Sequence, residues 1–142
     1  MIKKHASATW EGSIKEGLGH ITTESDVLKN QPYGFNHRFE GAAGTNPEEL
    51  IAAAHAGCFT MALSLQLAEH GIDPQILNTK ATVSLEKGDA GFSVTKSHLE
   101  FTAKLNGADE TAFRKALDAA KTGCPISKLL NCDIELDVTF ED

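Results

Sequence analysis

From Leu50 to Ala68 the chain runs 19 residues without a single Asp, Glu, Lys or Arg. A helix of that length spans about 28 Å at 1.5 Å per residue, enough to cross a bilayer. The run is rich in alanine, however, carries His55, Ser64 and Gln66, and has no positive cluster or aromatic belt at its flanks. It therefore reads as the core helix of a soluble protein rather than a membrane span. Being apolar all round, it is expected to be buried on most of its circumference by surrounding elements.

The start of this helix is well marked. Asn46 is the N-cap, Pro47 takes the first helical position, and Glu49 stands three residues after the cap. Glu69 is the expected end, with Gly71 as the stop and Pro74 beyond it. The preceding Gly41-Ala42-Ala43-Gly44 reads as a loop.

The remaining elements follow from periodicity. Ala6–Trp10, Gly19–Thr23 and Gly34–Glu40 alternate as short strands, the last with Phe35, His37 and Phe39 on one face. Thr79–Glu86 and Phe92–Leu105 flank Lys87-Gly88-Asp89-Ala90-Gly91, a hairpin signal. Asp109–Thr122 has helical spacing, with Phe113, Ala116, Leu117 and Ala120 along one side. Pro125–Leu130 reads as one or two further turns, and Asp133–Glu141 as a last strand turning Ile134, Leu136, Val138 and Phe140 to one face. Strand and helix blocks segregate, which predicts an α+β fold with a mostly antiparallel sheet, a long central hydrophobic helix and a second helix. The chain, residues 1–142, reads as one domain without repeats or linkers. Its long helix has more apolar surface than one small sheet can cover, which dimerisation would resolve.

A net charge of −7, with acidic residues spread along the chain, argues against a phosphate-backbone partner such as nucleic acid. Met1–His5 lacks the apolar core of a signal peptide. Three cysteines are an odd number and too few for a secreted disulfide framework, no CxxC occurs, and no pair has zinc-finger spacing. The expected compartment is a reducing cytoplasm, where a cysteine pair is catalytic or redox-sensing. The pattern calls for no metal or cofactor.

Cys58 lies three turns into the apolar helix, where a thiol reads either as a small buried hydrophobe or as a nucleophile. As a nucleophile it needs a positive neighbour, and the best candidate is Arg38, whose fork of donors could hold a thiolate and a peroxide oxygen together. Arg38 taken alone also reads as a surface charge at a sheet edge. Cys124 sits in Gly123-Cys124-Pro125, either a plain helix stop and restart or a thiol at an N-cap, where unpaired N–H groups favour an anion. Cys132 belongs to no motif. Glu49 has the capping position and points about 180° away from Cys58, while Glu48 is about 80° away and about 15 Å along the axis. Glu48 can therefore serve the thiol only by orienting Arg38 or by reaching it across a subunit interface. The six histidines are scattered and offer no rival site; His55 beside Cys58 is a poor Cys–His pair, since neighbours in mid-helix lack an open approach to a substrate.

These residues resemble the OsmC/Ohr family of thiol-dependent hydroperoxide reductases. The likeness runs over essentially the whole chain and is carried by residues 31–41 (QPYGFNHRFEG), 44–51 (GTNPEELI), 54–59 (AHAGCF) and 123–127 (GCPIS), with Asp89–Phe92 also fitting. The segment around Tyr33 and Phe35 is similar to the OsmC branch. The resemblance implies an intertwined homodimer with two sites at the interface. It implies Cys58 as the peroxidatic thiol, Cys124 as the resolving thiol, Arg38 as the activating cation and Glu48 as its partner. The implied activity is reduction of organic hydroperoxides, and more weakly of hydrogen peroxide, through a Cys58 sulfenic acid and a Cys58–Cys124 disulfide, in oxidative or osmotic stress defence. A dithiol, with lipoyl groups the family's suggestion, would reopen the disulfide. An apolar wall of Phe35, Phe39, Phe59 and Met61 would favour organic substrates. Competing readings are a thiol redox sensor and an apolar-ligand carrier, neither with turnover.

Overall fold

The helix start predicted at Asn46 is built as its chemistry requires. In the computed structural model, which describes residues 1–141, helix α2 spans Pro47–Glu69, and the Asn46 side chain accepts the Glu49 amide at 2.8 Å. At the far end Gly71 takes a positive φ of 70° and the Ile72 amide returns to the Leu67 carbonyl, the bond that closes off orphan carbonyls. The chain forms two compact units, Met1–Leu50 and Ile51–Asp142, so the first turn of α2 belongs to the smaller one.

The smaller unit is an antiparallel meander, β1 (Ala6–Glu11), β2 (Leu18–Thr23) and β3 (Gln31–Tyr33), followed by a short helix α1 (Phe35–Phe39). Gly19 lies between Trp10 and Tyr33, whose rings meet edge to face at 5.7 Å; a Cβ there would fall 2.4 Å from Tyr33. Residues 34–40, expected to be a strand, are instead the α1 turn, closed by Arg38 N–H to Gly34 and Glu40 N–H to Asn36. The reason is an ambiguity of spacing. Phe35 and Phe39 share a face at i and i+4 on a helix as well as on a strand, and here their rings pack at 4.9 Å.

The larger unit sets most of α2 against a second three-stranded sheet, β4 (Leu77–Gly88), β5 (Gly91–Lys104) and β6 (Asp133–Glu141). Helices α3 (Glu110–Gly123) and α4 (Pro125–Leu129) connect β5 to β6, which pair in parallel. Three of the four strand pairings are antiparallel, as expected. The segregation of strands from helices is not kept, because a parallel β5–β6 pair needs a crossover, and α3 with α4 supplies it. Asp109 caps α3 by accepting the Thr111 amide, and Phe113, Ala116, Leu117 and Ala120 form its buried face. A run of aromatic contacts, Phe59–Phe101, Phe101–Phe113 and Phe113–Phe140 at 5.1 to 6.3 Å, stitches α2, β5, α3 and β6 into one core.

Helix α2 is not buried on most of its circumference. His55, Phe59, Leu63 and Leu67, four residues apart, are its buried stripe, while Met61 and Leu65 stand open. A three-stranded sheet with one neighbouring helix covers a single helical face. Much of the apolar surface in the run, Met61 and Leu65 included, is therefore uncovered within one chain. By length and composition α2 still qualifies as a candidate span, but its stripe carries a histidine committed to the sheet.

That histidine makes the buried polar network of the core. His55 Nδ1 is 2.6 Å from Ser97 Oγ on β5, and Nε2 is 2.8 Å from Ser127 Oγ on α4. All three side chains are buried, so each bond satisfies a group that would otherwise cost free energy.

Two predictions follow from this packing. Leu63→Ala should lower stability by about 2–5 kcal/mol in chemical denaturation. Burial also holds the His55 ring below its ordinary pKa of 6.5. An unfolded chain then takes up a proton near pH 6.5 that the folded ring refuses, so this part of the stability is full above that pH and declines as pH falls toward the folded pKa. Unfolding free energies from urea titrations between pH 8 and pH 5 should show a wild-type slope steeper than that of His55→Gln by up to ~1.4 kcal/mol per pH unit.

Candidate active site

Cys58 and Cys124 are 66 residues apart in sequence, and their sulfurs meet at 2.9 Å as a hydrogen-bonded pair of free thiols. A covalent bond would bring them to about 2.05 Å, so the two unbonded thiols stand within less than an ångström of closing. Cys58 comes from the middle of α2. Cys124 both ends α3, its N–H on the Ala120 carbonyl, and begins α4, its carbonyl accepting the Lys128 amide. Pro125 is what makes this junction: it cannot continue α3, yet suits the first position of α4.

The surroundings of the two sulfurs differ. Cys124 has no exposed surface and caps α4 through its sulfur, which accepts the Ser127 amide at 3.4 Å. Burial pushes its thiol up, but hydrogen bonds from the Cys58 thiol, the Ser127 amide and hydroxyl and the Ile126 amide outweigh that and bring it below the ordinary thiol value. Burial pushes Cys58 up, the neighbouring Cys124 adds to the rise, and only the Ile126 amide opposes it. In the neutral pair the Cys124 thiol donates to Cys58; once Cys124 loses its proton, the Cys58 S–H becomes the donor. Helix α4, with five residues, contributes little macrodipole, so the individual Ser127 and Ile126 groups carry the effect.

Cys58 is half-buried and borders an open groove of about 420 Å³. Met61, Ala62 and Leu65 of α2 form one wall, and Ala119, Ala120 and Pro125 the other. Met61 thus lines the groove as expected. Phe59 does not: it is fully buried in the core, one residue round the helix from Cys58 and facing the sheet.

Arg38 and Glu48 form a second pair, within the smaller unit. The Arg38 Nε donates to both Glu48 oxygens at 3.1 Å and its Nη2 donates to Oε1, a forked contact. The Glu48 carboxylate is largely covered, and the guanidinium lies 5.7 Å from the Phe39 ring centre. Their meeting depends on Asn46, which caps α2 with its oxygen and donates its Nδ2 to the His37 carbonyl, tying α1 to the start of α2. Glu49 is occupied by the Thr45 hydroxyl at 2.9 Å, consistent with its structural part. Cys132 is half-buried near the start of β6, and burial followed by the nearby Asp133 raises its thiol.

Sequence reasoning sets His55 aside as a poor partner for Cys58 and gives Ser127 no role. The signal was available for His55, which falls in step with Phe59, Leu63 and Leu67 on the inward stripe, where an imidazole must find partners. Ser127 lies within the quoted GCPIS segment, but only the fold shows that it joins His55 to Cys124.

The sequence matches the OsmC family (OsmC-like protein) over residues 39–139. It is 54% identical over 136 residues to Peroxiredoxin OsmC of Escherichia coli (strain K12), across 96% of this chain and 95% of that protein. It is 32% identical over 123 residues to the organic hydroperoxide resistance protein OhrB of Bacillus subtilis (strain 168), across 84% of this chain and 88% of that one. The crystal structure of Bacillus subtilis OhrB superposes with a TM-score of 0.74 at 31% identity, covering 95% of this chain and 98% of that chain. A family match over most of the chain, and relatives matched along nearly their full length, make this protein a member of the OsmC/Ohr family.

Proposed function

We propose that the protein is a cysteine-based peroxidase that reduces organic hydroperoxides, and hydrogen peroxide more weakly, in stress defence. The observation that carries the proposal is the reduced thiol pair at 2.9 Å beside an apolar groove, in a chain similar along its length to a peroxiredoxin and to organic hydroperoxide resistance proteins.

The chemistry proceeds in three balanced steps. The Cys58 thiolate attacks the distal oxygen of the peroxide, the O–O bond breaks, and the departing alkoxide takes a proton to leave as alcohol. The Cys58 sulfenic acid is then attacked by the Cys124 thiolate; the S–S bond forms, and hydroxide leaves as water once protonated. An external dithiol, for which lipoyl groups are the choice, gives two electrons and becomes a disulfide as Cys58 and Cys124 return to thiols.

Arg38 is the cation assigned to the first step, with Glu48 holding its fork in one orientation. The need for it is physical, because the immediate surroundings of the pair raise Cys58 and lower Cys124. A thiolate at Cys58 requires a positive charge beyond those surroundings. Two copies of the chain are proposed to form the working enzyme in the cytoplasm. Support comes from the open Met61 and Leu65 of α2, and from a smaller unit in which no large apolar side chain is fully buried.

Purified protein should consume cumene hydroperoxide through many turnovers with dihydrolipoamide, and hydrogen peroxide less efficiently. Cys58→Ser should abolish turnover, while Cys124→Ser should react once and fail to cycle normally. Arg38→Ala should slow the peroxide step on the order of 10²-fold, with Glu48→Gln intermediate. Absence of turnover in the wild type with several dithiols would overturn the proposal. Sedimentation should give a dimer that Leu65→Glu weakens; a wild-type monomer at micromolar concentration would remove the second copy from the mechanism.

A further inference from the structure

The neutral His55 ring has one N–H to give and one lone pair to offer, and it stands between two serines. With the proton on Nε2, the ring donates to the Ser127 hydroxyl, which keeps its own proton for another acceptor, while the Ser97 hydroxyl donates to Nδ1. The acceptor beside Ser127 is the Cys124 sulfur, which accepts that residue's amide at 3.4 Å and whose thiol the Ser127 hydroxyl also draws below its ordinary pKa. The same ring in its other tautomer would accept the Ser127 proton and leave the sulfur with the amide alone. His55 thus controls whether Ser127 serves Cys124 with one donor or two.

The two sulfurs also differ in access. Cys58 borders the groove, whereas Cys124 is fully buried behind it. We propose that the reductant's thiolate attacks the Cys58 sulfur of the disulfide and that Cys124 is the leaving group, held as a thiolate by Ser127 with His55 as the positioning residue behind it. The Cys58–Cys124 bond breaks with its electron pair on Cys124, and a new S–S bond joins Cys58 to the reductant. The second thiol of the reductant then attacks its own sulfur in that mixed disulfide, closes to a cyclic disulfide and releases Cys58 as a thiolate. Leaving as a stabilised thiolate speeds exchange, and the direction of opening returns Cys58, the peroxide-reacting sulfur, last. This inference rests on the dithiol reading given above.

The test uses the full chain carrying Cys132→Ser, so that the two site thiols are the only ones. Protein treated with one equivalent of cumene hydroperoxide is opened with 2-mercaptoethanol, quenched with N-ethylmaleimide and mapped by mass spectrometry. The mixed disulfide is expected on Cys58 and the maleimide on Cys124. Reduction by dihydrolipoamide should slow about tenfold or more in Ser127→Ala and in His55→Gln, and recover most of that loss in Ser127→Thr. In a Cys58→Ser background, the pH midpoint for alkylation of Cys124 should rise by about one unit with Ser127→Ala and return with Ser127→Thr. A general loss of packing would not follow the hydroxyl in this way. If His55→Gln does not fold, the Ser127 pair carries the test. A mixed disulfide on Cys124, or parental reduction and midpoint in Ser127→Ala, overturns the inference while leaving the dithiol reading intact. Failure of the parent to form the Cys58–Cys124 disulfide overturns both.

Discussion

Four side chains on one edge of α2 organise the larger unit: His55, Phe59, Leu63 and Leu67, spaced every four residues and all without exposed surface. The three apolar members bury against Leu99, Phe101 and the α3 face, and burial of this kind stabilises by roughly 2 kcal/mol per large side chain. The fourth is polar, so it demands geometry as well as contact. An imidazole between two serine hydroxyls tolerates little rotation or sliding of the helix, because either would strand a buried donor or acceptor. Apolar packing holds α2 onto the sheet; His55 sets its register. Since Cys58 sits three residues beyond His55, between two members of the stripe, that register also decides where the thiol emerges.

The same network sets the position of the second thiol. Ser127 is bound by the imidazole from one side and presents its amide to Cys124 on the other. Pro125 and the capping at Cys124 fix the backbone between α3 and α4. Two sulfurs from distant parts of the chain consequently meet without either lying on a flexible loop. Closing the bond from 2.9 Å requires a shift of less than an ångström at the sulfurs.

Much of this was legible in the sequence. The N-cap at Asn46, the stop at Gly71, the hairpin at Asp89-Ala90 and the inward face of α3 all rest on local chemistry, and each stands where the residues place it. Residues 34–40 were not legible, because five residues of alternation cannot separate a strand from a helical turn bringing Phe35 onto Phe39. Nor was the β5–α3–α4–β6 crossover, since whether two strands pair in parallel is a tertiary choice. The bareness of α2 had a different cause. Its composition announces burial without saying whether the cover comes from the same chain. At the site, the motif marked Cys58, Cys124, Arg38 and Glu48, while His55 was weighed only as a neighbour of Cys58 and set aside, because its two partners lie 42 and 72 residues away.

Charge explains why a dithiol site of this kind needs more than two neighbouring cysteines. Two thiols in contact share a limited set of donors, and here the set favours an anion on Cys124 over one on Cys58. Under the proposed roles, that bias suits a sulfur that attacks a sulfenic acid and later departs as a thiolate, and it works against the sulfur that meets the peroxide first. On the proposed mechanism the two demands are met by different parts of the chain. Ser127 and Ile126 attend to Cys124 permanently, through groups fixed in the backbone and core. A guanidinium, oriented by a carboxylate whose fork matches it, supplies what Cys58 lacks. Arg38 and Glu48 come from a unit with almost no buried core of its own, whereas Cys124 is fully buried and bonded to both the end of α3 and the start of α4.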